Sequence, residues 1–427
     1  MASTTNVIEG LKYTYGVNKV LYLFNQESPT WKLLGKVKKP VGGRGQFIMP
    51  AFVQNGGAFT GITQGGALPT ALQPDTAEAT FSLQEYVALY DVTWKLIQDA
   101  SKDKFAFQQA IQMLDEGLKK RIFRNLNSDL VDNGKGRLAV MSAADNDTVI
   151  TVNSLPRCET GMVCDVMDLT DDDTKLGDSR TINGVDVINR TITISGAALS
   201  GTAAGDYFVI QDTCDATSQS PAYHSHGWLS VVSNANPAAV TEATGYGGLS
   251  RSTAGQEFWQ SFLLSGGGTN RALTEDLLLQ AMDGVREKGG GKLNAWISNL
   301  AIVRRYHELL ASERYFALSA PGQIAGGIGR KEKDPGETGL TPYEFSGVPW
   351  YADPYFNANV IIGADTNHFF LGVGDNDVPR PISEVFDNVP FFRQTANATF
   401  EVAWYYQMEL LSDNPAAGVQ IQDVAES

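Results

Sequence analysis

Charge, cysteine and histidine are all scarce in this 427-residue chain, and each shortage excludes something. Charged residues make up 19% of it, below the usual ~25%, so some surface is expected to end up against protein. Three cysteines (Cys158, Cys164 and Cys214) cannot all pair within one chain, which argues against a secreted disulfide scaffold and for a reducing compartment. No basic start followed by an apolar run opens the chain, and the apolar run at 20–24 is far too short to span a bilayer. The four histidines, His224, His226, His307 and His368, stand in no His-Glu-x-x-His pattern, and no Gly-x-Ser-x-Gly elbow occurs. Nothing nominates a catalytic set, so no enzyme is expected, and neither cofactor nor metal.

Three apparent motifs have plainer explanations. Cys158, Cys164, Cys214, His224 and His226 lack the short Cys-x-x-Cys spacing of a structural zinc site. Asp168, Asp171, Asp172, Asp173 and Asp178 form an acidic turn without the Gly and closing Glu of a calcium loop. Gly289-Gly290-Gly291-Lys292 follows a helix and lacks Ser or Thr after the Lys, so it reads as a helix stop, not a phosphate loop.

The length suggests two or three folding units. Hydrophobic residues at 43% and aromatics at 10% supply the cores. Forty-three glycines, against ~7% on average, point to many turns. The net charge of −15 excludes a general nucleic-acid binder, because phosphates repel it. An acidic wall is still compatible with enclosing DNA, which slides past it.

Residues 1–40 read as an arm, with a short helix candidate at 17–24 and a basic run, Lys36, Lys38 and Lys39, near its end. Residues 41–84 are the most informative stretch. They hold eight glycines and many large apolar side chains, yet only three charges, Arg44, Asp75 and Glu78, where a 19% share of 44 residues would give about eight. An exposed loop is polar and a core element is periodic. The middle of this stretch is neither, while its flanks, 46–53 and 80–94, alternate like strands. The expectation is a long two-stranded excursion, unstable alone, whose Phe47, Met49, Phe52, Phe59, Ile62, Leu68 and Leu72 lie on a neighbouring subunit, with Gly42, Gly43 and Gly45 as hinges. Charge depletion with retained aromatics and Met is how an interface core looks.

Residues 101–131 predict one long amphipathic helix through Phe107, Ile111, Leu114, Leu118, Ile122, Leu126 and Leu130, with Lys119, Lys120, Arg121 and Arg124 complementing its dipole. Short β-rich runs then fill 136–212, including 138–141, 148–152, 162–167, 181–188, 191–195 and 207–210, and read as an inserted all-β barrel or sandwich. After a linker at 213–221, residues 222–427 mix helix and strand: a helix at 275–288 capped by Thr274, strands at 293–298, 359–362 and 368–373, a helix at 299–310, an exposed loop at 321–337, and a long strand at 399–411.

This order of elements resembles the Hong Kong 97-type fold of tailed-bacteriophage major capsid proteins. The segments AWISNLAIVRRYHELL (295–310), FSGVPWYADPYF (345–356), NVIIGADTNHFFLGVGD (359–375) and LSDNPAAGVQIQDV (411–424) are similar to that family's strand–helix unit, Gly-x-Pro turn with its following strands, and closing Asn-Pro-Ala segment. The resemblance covers nearly everything outside 136–212. It implies an α+β chain made of an N-terminal arm (1–40), an E-loop excursion (41–94), a spine helix with part of a peripheral (P) domain (95–135), the inserted β domain (136–212), and an axial (A) domain with the rest of the P domain (213–427). It also implies self-assembly into hexamers and pentamers, an icosahedral or prolate shell around double-stranded DNA without sequence-specific contacts, portal, scaffolding and cement or decoration proteins as partners, no membrane, and a virion assembled in the host cytoplasm. Some family members cross-link through an E-loop Lys; residues 41–94 contain none, so no such isopeptide bond is expected. Scaffolding is expected to be a separate protein or an already removed segment. Two other readings stay open: an encapsulin-type nanocompartment shell, and a carbohydrate-binding surface protein built on the β insert.

Overall fold

The computed structural model describes residues 29–37, 46–54, 66, 75–93, 104–153, 157–169, 174–211, 213, 224–237, 245–253, 256–288, 291–317, 343–356, 359–374, 379–381, 392–393 and 399–426. The expected helix at 17–24, the loop at 321–337, the hinges Gly42, Gly43 and Gly45, and the excursion residues Phe59, Ile62, Leu68 and Leu72 lie outside these.

The long helix spans Lys104–Val131, about 42 Å at 1.5 Å per residue. In its second half Leu118, Ile122, Phe123, Leu126, Leu130 and Val131 are buried in the main core, while Lys120 and Arg121 face out. The expected pairing of its basic residues with the dipole needs correction. No basic residue lies in the last turn; Lys119 is buried instead, its ammonium 5.1 Å from the Trp404 ring centroid. Two acids, Asp129 and Asp132, occupy the end of the helix. The chain leaves it through Gly134 at φ 88°, in the left-handed region where a side chain is unfavourable.

The strand expected at 80–94 is two strands. Asp75–Ser82 pairs antiparallel with Gln46–Gln54, with Phe47 opposite Phe81 and Met49 opposite Ala79. After Leu83 the chain changes partner, and Gln84–Thr93 runs antiparallel along Thr399–Ser412 from Gln84↔Met408 to Thr93↔Thr399. The inward face changes parity across the break: Ala77, Ala79 and Phe81 turn to the core on the first strand, and Tyr86, Ala88 and Tyr90 on the second, so the apolar alternation of Phe81, Leu83, Val87 and Leu89 passes from the core side to the outside. The opposite side of Thr399–Ser412 is paired in turn by Phe369–Val373, Arg380–Pro381 and Phe392–Arg393, and Gly35–Val37 adds a parallel strand beyond Phe369–Val373. Among the described residues, Gln84–Thr93 is therefore an edge of this sheet.

The insert is a barrel. Its strands follow the order Arg137–Val140, Tyr207–Ile210, Val163–Asp168, Arg180–Asp186, Thr191–Ile194, Val149–Thr151, with Thr174–Lys175 beside Val163–Asp168. The ring closes through the Met141–Val152 bridge and the Ser142 N–H to Thr151 C=O (3.0 Å) and Asn153 N–H to Val140 C=O (2.8 Å) hydrogen bonds. Closure removes the exposed edges an open sheet would leave. Ile150, Cys164, Val166, Ile182, Ile192 and Phe208 fill the interior. The strand expected to reach residue 188 stops at Asp186, and Val187 and Ile188 sit in the following turn.

A third sheet has the order Phe262–Leu264, Gly418–Ile421, Ile361–Ala364, Ala295–Ser298, Val348–Ala352, Tyr343–Phe345. Alternation sends Ile297, Ile362 and Ala364 to the main core, and Trp296, Ile361 and Val419 to a second core that includes residues of helices Glu275–Glu287 and Leu300–Ala317. Thr274 caps the first of these helices, its hydroxyl accepting from the Leu277 N–H (3.2 Å); Asn299 caps the second, accepting from the Ile302 N–H (2.9 Å).

Gly227 packs directly on the end of the long helix. A Cβ there would lie 2.3 Å from the carbonyl oxygens of Asp129 and Asp132, backbone atoms that cannot swing away. Gly227→Ala is expected to lower stability by about 1–3 kcal/mol, the range for overpacking, as measured by denaturant unfolding.

Candidate assembly surfaces and the charged junction

The excursion residues fall into two groups. Phe47 is only 3% exposed and belongs to the main core of its own subunit, as does Phe81 opposite it; Met49 packs against the same core. The expectation that Phe47 contacts a neighbour is corrected. Alternation turns 47, 49, 79 and 81 inward, and the inward face of this hairpin stem is closed by its own chain, including Tyr246, whose ring centroid is 4.8 Å from that of Phe81. Phe52 lies in the Gln46–Gln54 strand. Charge depletion in the stem thus has a local cause.

The edge strand Gln84–Thr93 carries a surface of another kind. Tyr86, Ala88 and Tyr90 pack on the main core, and Glu85, Val87, Leu89 and Asp91 face outward. A groove of about 430 Å³ runs between this strand, the long helix and the barrel, lined by Val87, Leu89, Leu118, Ile122, Trp404 and Arg121, among others. No element of the sequence announced it, because its walls come from segments far apart in the chain, including 86–89, 118–129, 210–213 and 404–406.

Beneath this surface, at the end of the long helix, lies a buried charged junction. The Arg137 side chain donates to Asp132 Oδ1 from Nε at 2.9 Å and from Nη2 at 2.5 Å, its backbone N–H donates to Oδ2 at 2.9 Å, and Arg157 Nη1 approaches Oδ2 at 3.5 Å. His224 Nδ1 lies 2.7 Å from Asp129 Oδ2. The Ser225 N–H donates to the Tyr86 hydroxyl (2.8 Å), and the His226 N–H donates to Glu409 (2.9 Å). Thr30, from the arm, and Asn127, from the helix, donate to Asp353, and Arg157 also reaches the Tyr355 carbonyl. Arm, long helix, barrel, edge strand and third sheet therefore meet in one polar network. Acids at a helix C-terminus oppose the dipole. They are held here because two guanidinium groups face Asp132 and the His224 imidazole hydrogen-bonds Asp129.

Burial works against the Asp132 carboxylate, but Arg137 and Arg157 outweigh it and hold its pKa down at about 2. Burial alone would lower the His224 pKa; the Asp129 carboxylate beside it wins and raises it. Burial raises Asp353, its hydrogen bonds only partly compensating. This network was missed from sequence. The one available signal was Asp-x-x-Asp at the end of a helix, a breach of the dipole rule that flags a special role.

The residues weighed for zinc are not brought together. Cys158 and Cys164 are buried in the barrel wall, where burial pushes both thiols up to about 12, so they stay protonated. His224 is engaged with Asp129, and Cys214 lies outside the described residues. No cluster of three or more His, Cys, Asp or Glu suited to a metal occurs among the described residues. Of the acidic turn, Asp168 ends a barrel strand and Asp178 lies in a loop. No described helix is long and apolar enough to cross a membrane.

No protein-family model matches this chain, and no curated protein does. Solved structures do. The capsid asymmetric unit of cyanophage A-1(L) matches with a TM-score of 0.50 at 15% identity, over 93% of each chain. At that identity the likeness shows the fold, and the arrangement is the Hong Kong 97-type capsid fold. Weaker similarities, which carry no argument, are to the capsid of a native GTA particle (TM-score 0.43, 10% identity, 93% and 91% of the two chains) and to the holo-SrpI encapsulin complex of Synechococcus elongatus PCC 7942 (0.42, 10%, 94% and 89%).

Two outcomes follow from this geometry. Phe47→Ala should destabilise the isolated subunit by about 3–5 kcal/mol, as for any core Phe truncation; an unchanged unfolding midpoint would return Phe47 to an interface. The raised His224 pKa contributes stability that is fully present below the unfolded value near 6.5 and is lost as pH rises through the folded value. Unfolding midpoints recorded from pH 5.5 to 9 should fall across that window, and His224→Gln should flatten the profile.

Proposed function

We propose that this chain, with its Hong Kong 97-type capsid fold, is the major capsid protein of a tailed bacteriophage. Copies of it assemble as hexamers and pentamers into an icosahedral or prolate head shell around double-stranded DNA, and the chain performs no catalysis. The observation that carries the reading is the fold match to a phage capsid asymmetric unit across 93% of both chains.

The physics of the chain fits that role. A shell subunit needs contacts on several sides, each burying about 800 Å² per partner, and the edge strand, the groove and the excursion beyond residue 54 supply different faces for them. The apolar tip residues Phe59, Ile62, Leu68 and Leu72 then lie against a neighbour, with Gly42, Gly43 and Gly45 letting the excursion take different angles in six- and five-membered rings. The net charge of −15 leaves packaged DNA mobile instead of bound. The barrel, closed on itself and joined to the body at the charged junction, is an added outer domain. Portal and scaffolding proteins, with a cement or decoration protein, are the partners such a shell takes in the host cytoplasm before release as a virion.

Expressed protein viewed by negative-stain microscopy should form closed icosahedral or prolate particles, and deletion of 55–72 should leave a folded subunit that makes none. Particles from phage-infected cells should hold nuclease-protected DNA; an enzyme cargo instead would point to a nanocompartment shell. A chain that stays monomeric under all assembly conditions, with glycan binding by the barrel, would overturn the shell reading.

A further inference from the structure

Five large apolar side chains among the described residues are more than half exposed: Val87 at 54%, Leu89 at 56%, Leu300 at 54%, Val187 at 74% and Ile188 at 93%. Four of them form two patches. Val87 and Leu89 border the groove between the edge strand and the long helix. Val187 and Ile188 form the tip of the barrel hairpin between Arg180–Asp186 and Thr191–Ile194. An Ile almost wholly in water at a hairpin tip has no folding role, since polar residues serve a turn better.

The tip is built to be rigid. Asp186 accepts from the backbone N–H groups of Ile188 (2.9 Å) and Asn189 (3.1 Å) and from the Asn189 side-chain amide (2.7 Å). Arg190 takes φ 52°, a left-handed conformation a non-glycine residue rarely adopts. Its guanidinium is held by Glu426 (3.0 Å) and the Asn153 carbonyl (3.2 Å), and its carbonyl accepts from the Val152 N–H (2.9 Å). A tip already fixed in one shape loses little entropy on docking.

We infer that the Val187-Ile188 tip of one subunit inserts into the groove beside Val87 and Leu89 of a second copy of this chain. The inference rests on the shell reading and specifies one of its contacts. The tip's high exposure says that it does not occupy its own subunit's groove. The groove's volume, about 430 Å³, suits two branched aliphatic side chains and their turn. Charge agrees as well: Arg121 lines the groove with no ion pair among the described residues, and the tip brings the Asp186 carboxylate. The two patches differ, so the contact is head-to-tail. That geometry closes rings or extends chains and does not make an isolated two-fold dimer.

The test is photo-cross-linking in assembled particles made from equal parts of isotopically light and heavy chains, with benzoylphenylalanine at position 188. Adducts should join position 188 of one copy to 84–93 or 116–126 of the other isotope. Adducts to another barrel tip, to any other segment, or within one copy only, would overturn the contact. In parallel, Ile188→Asp and Leu89→Asp should each cut particle yield about tenfold or more, the effect of losing one buried anchor, with the subunit's unfolding midpoint unchanged for Ile188→Asp. Wild-type yields from both variants would overturn the contact while leaving the shell reading intact. A wild-type chain that forms no particles would remove both.

Discussion

The neutralisation of two carboxylates at the end of one helix organises this subunit. Asp129 and Asp132 sit where the dipole of Lys104–Val131 disfavours negative charge, and they stay because Arg137, Arg157 and His224 surround them. Each of those three partners arrives from a segment that must be placed relative to the helix: Arg137 and Arg157 from the barrel, His224 from the chain returning out of it. Gly227 closes the arrangement by resting on the helix carbonyls. Breaking one partner of such a buried set leaves a charge with no solvent to receive it, which costs about 3–5 kcal/mol. The junction thus fixes how the inserted barrel sits on the body, and the barrel's tip and the groove beside it inherit that placement.

Much of this fold was legible in the sequence where the signal is local and repetitive. The long helix shows in the spacing of Leu118, Ile122, Leu126 and Leu130, all buried in the structure. The barrel strands show as short β-branched runs between Asn, Asp and Gly turns, and Thr274 announces its helix as an N-cap. What stayed hidden is non-local. Residues 80–94 read as one strand because Phe81, Leu83, Val87 and Leu89 keep one parity; only the structure reveals that Ser82 and Gln84 serve different partners and that Val87 and Leu89 face outward. The run to residue 188 read as strand because Val187 and Ile188 favour it, whereas Asp186 captures the following amides and turns the chain. Phe47 looked like interface because its neighbourhood lacks charge, yet a core and an interface have the same composition. The charged junction draws on seven segments between Thr30 and Glu409, and no spacing rule connects them.

On the proposed shell reading, what holds one chain together is separate from what joins copies of it. Asp129, Asp132 and Asp353 of the charged junction are paired within one chain, and the apolar stem around Phe47 and Phe81 and the two cores are buried there. The outward side chains of the edge strand, the groove and the barrel tip are not.

Hydrogen exchange compared between dissociated subunits and assembled particles tests this separation most directly. The account predicts added protection on assembly in 55–74, 84–93 and around 187–188, with amides at 127–137 and 224–228 already protected and unchanged. Equal exchange in both states, or new protection confined to the charged junction, would contradict it.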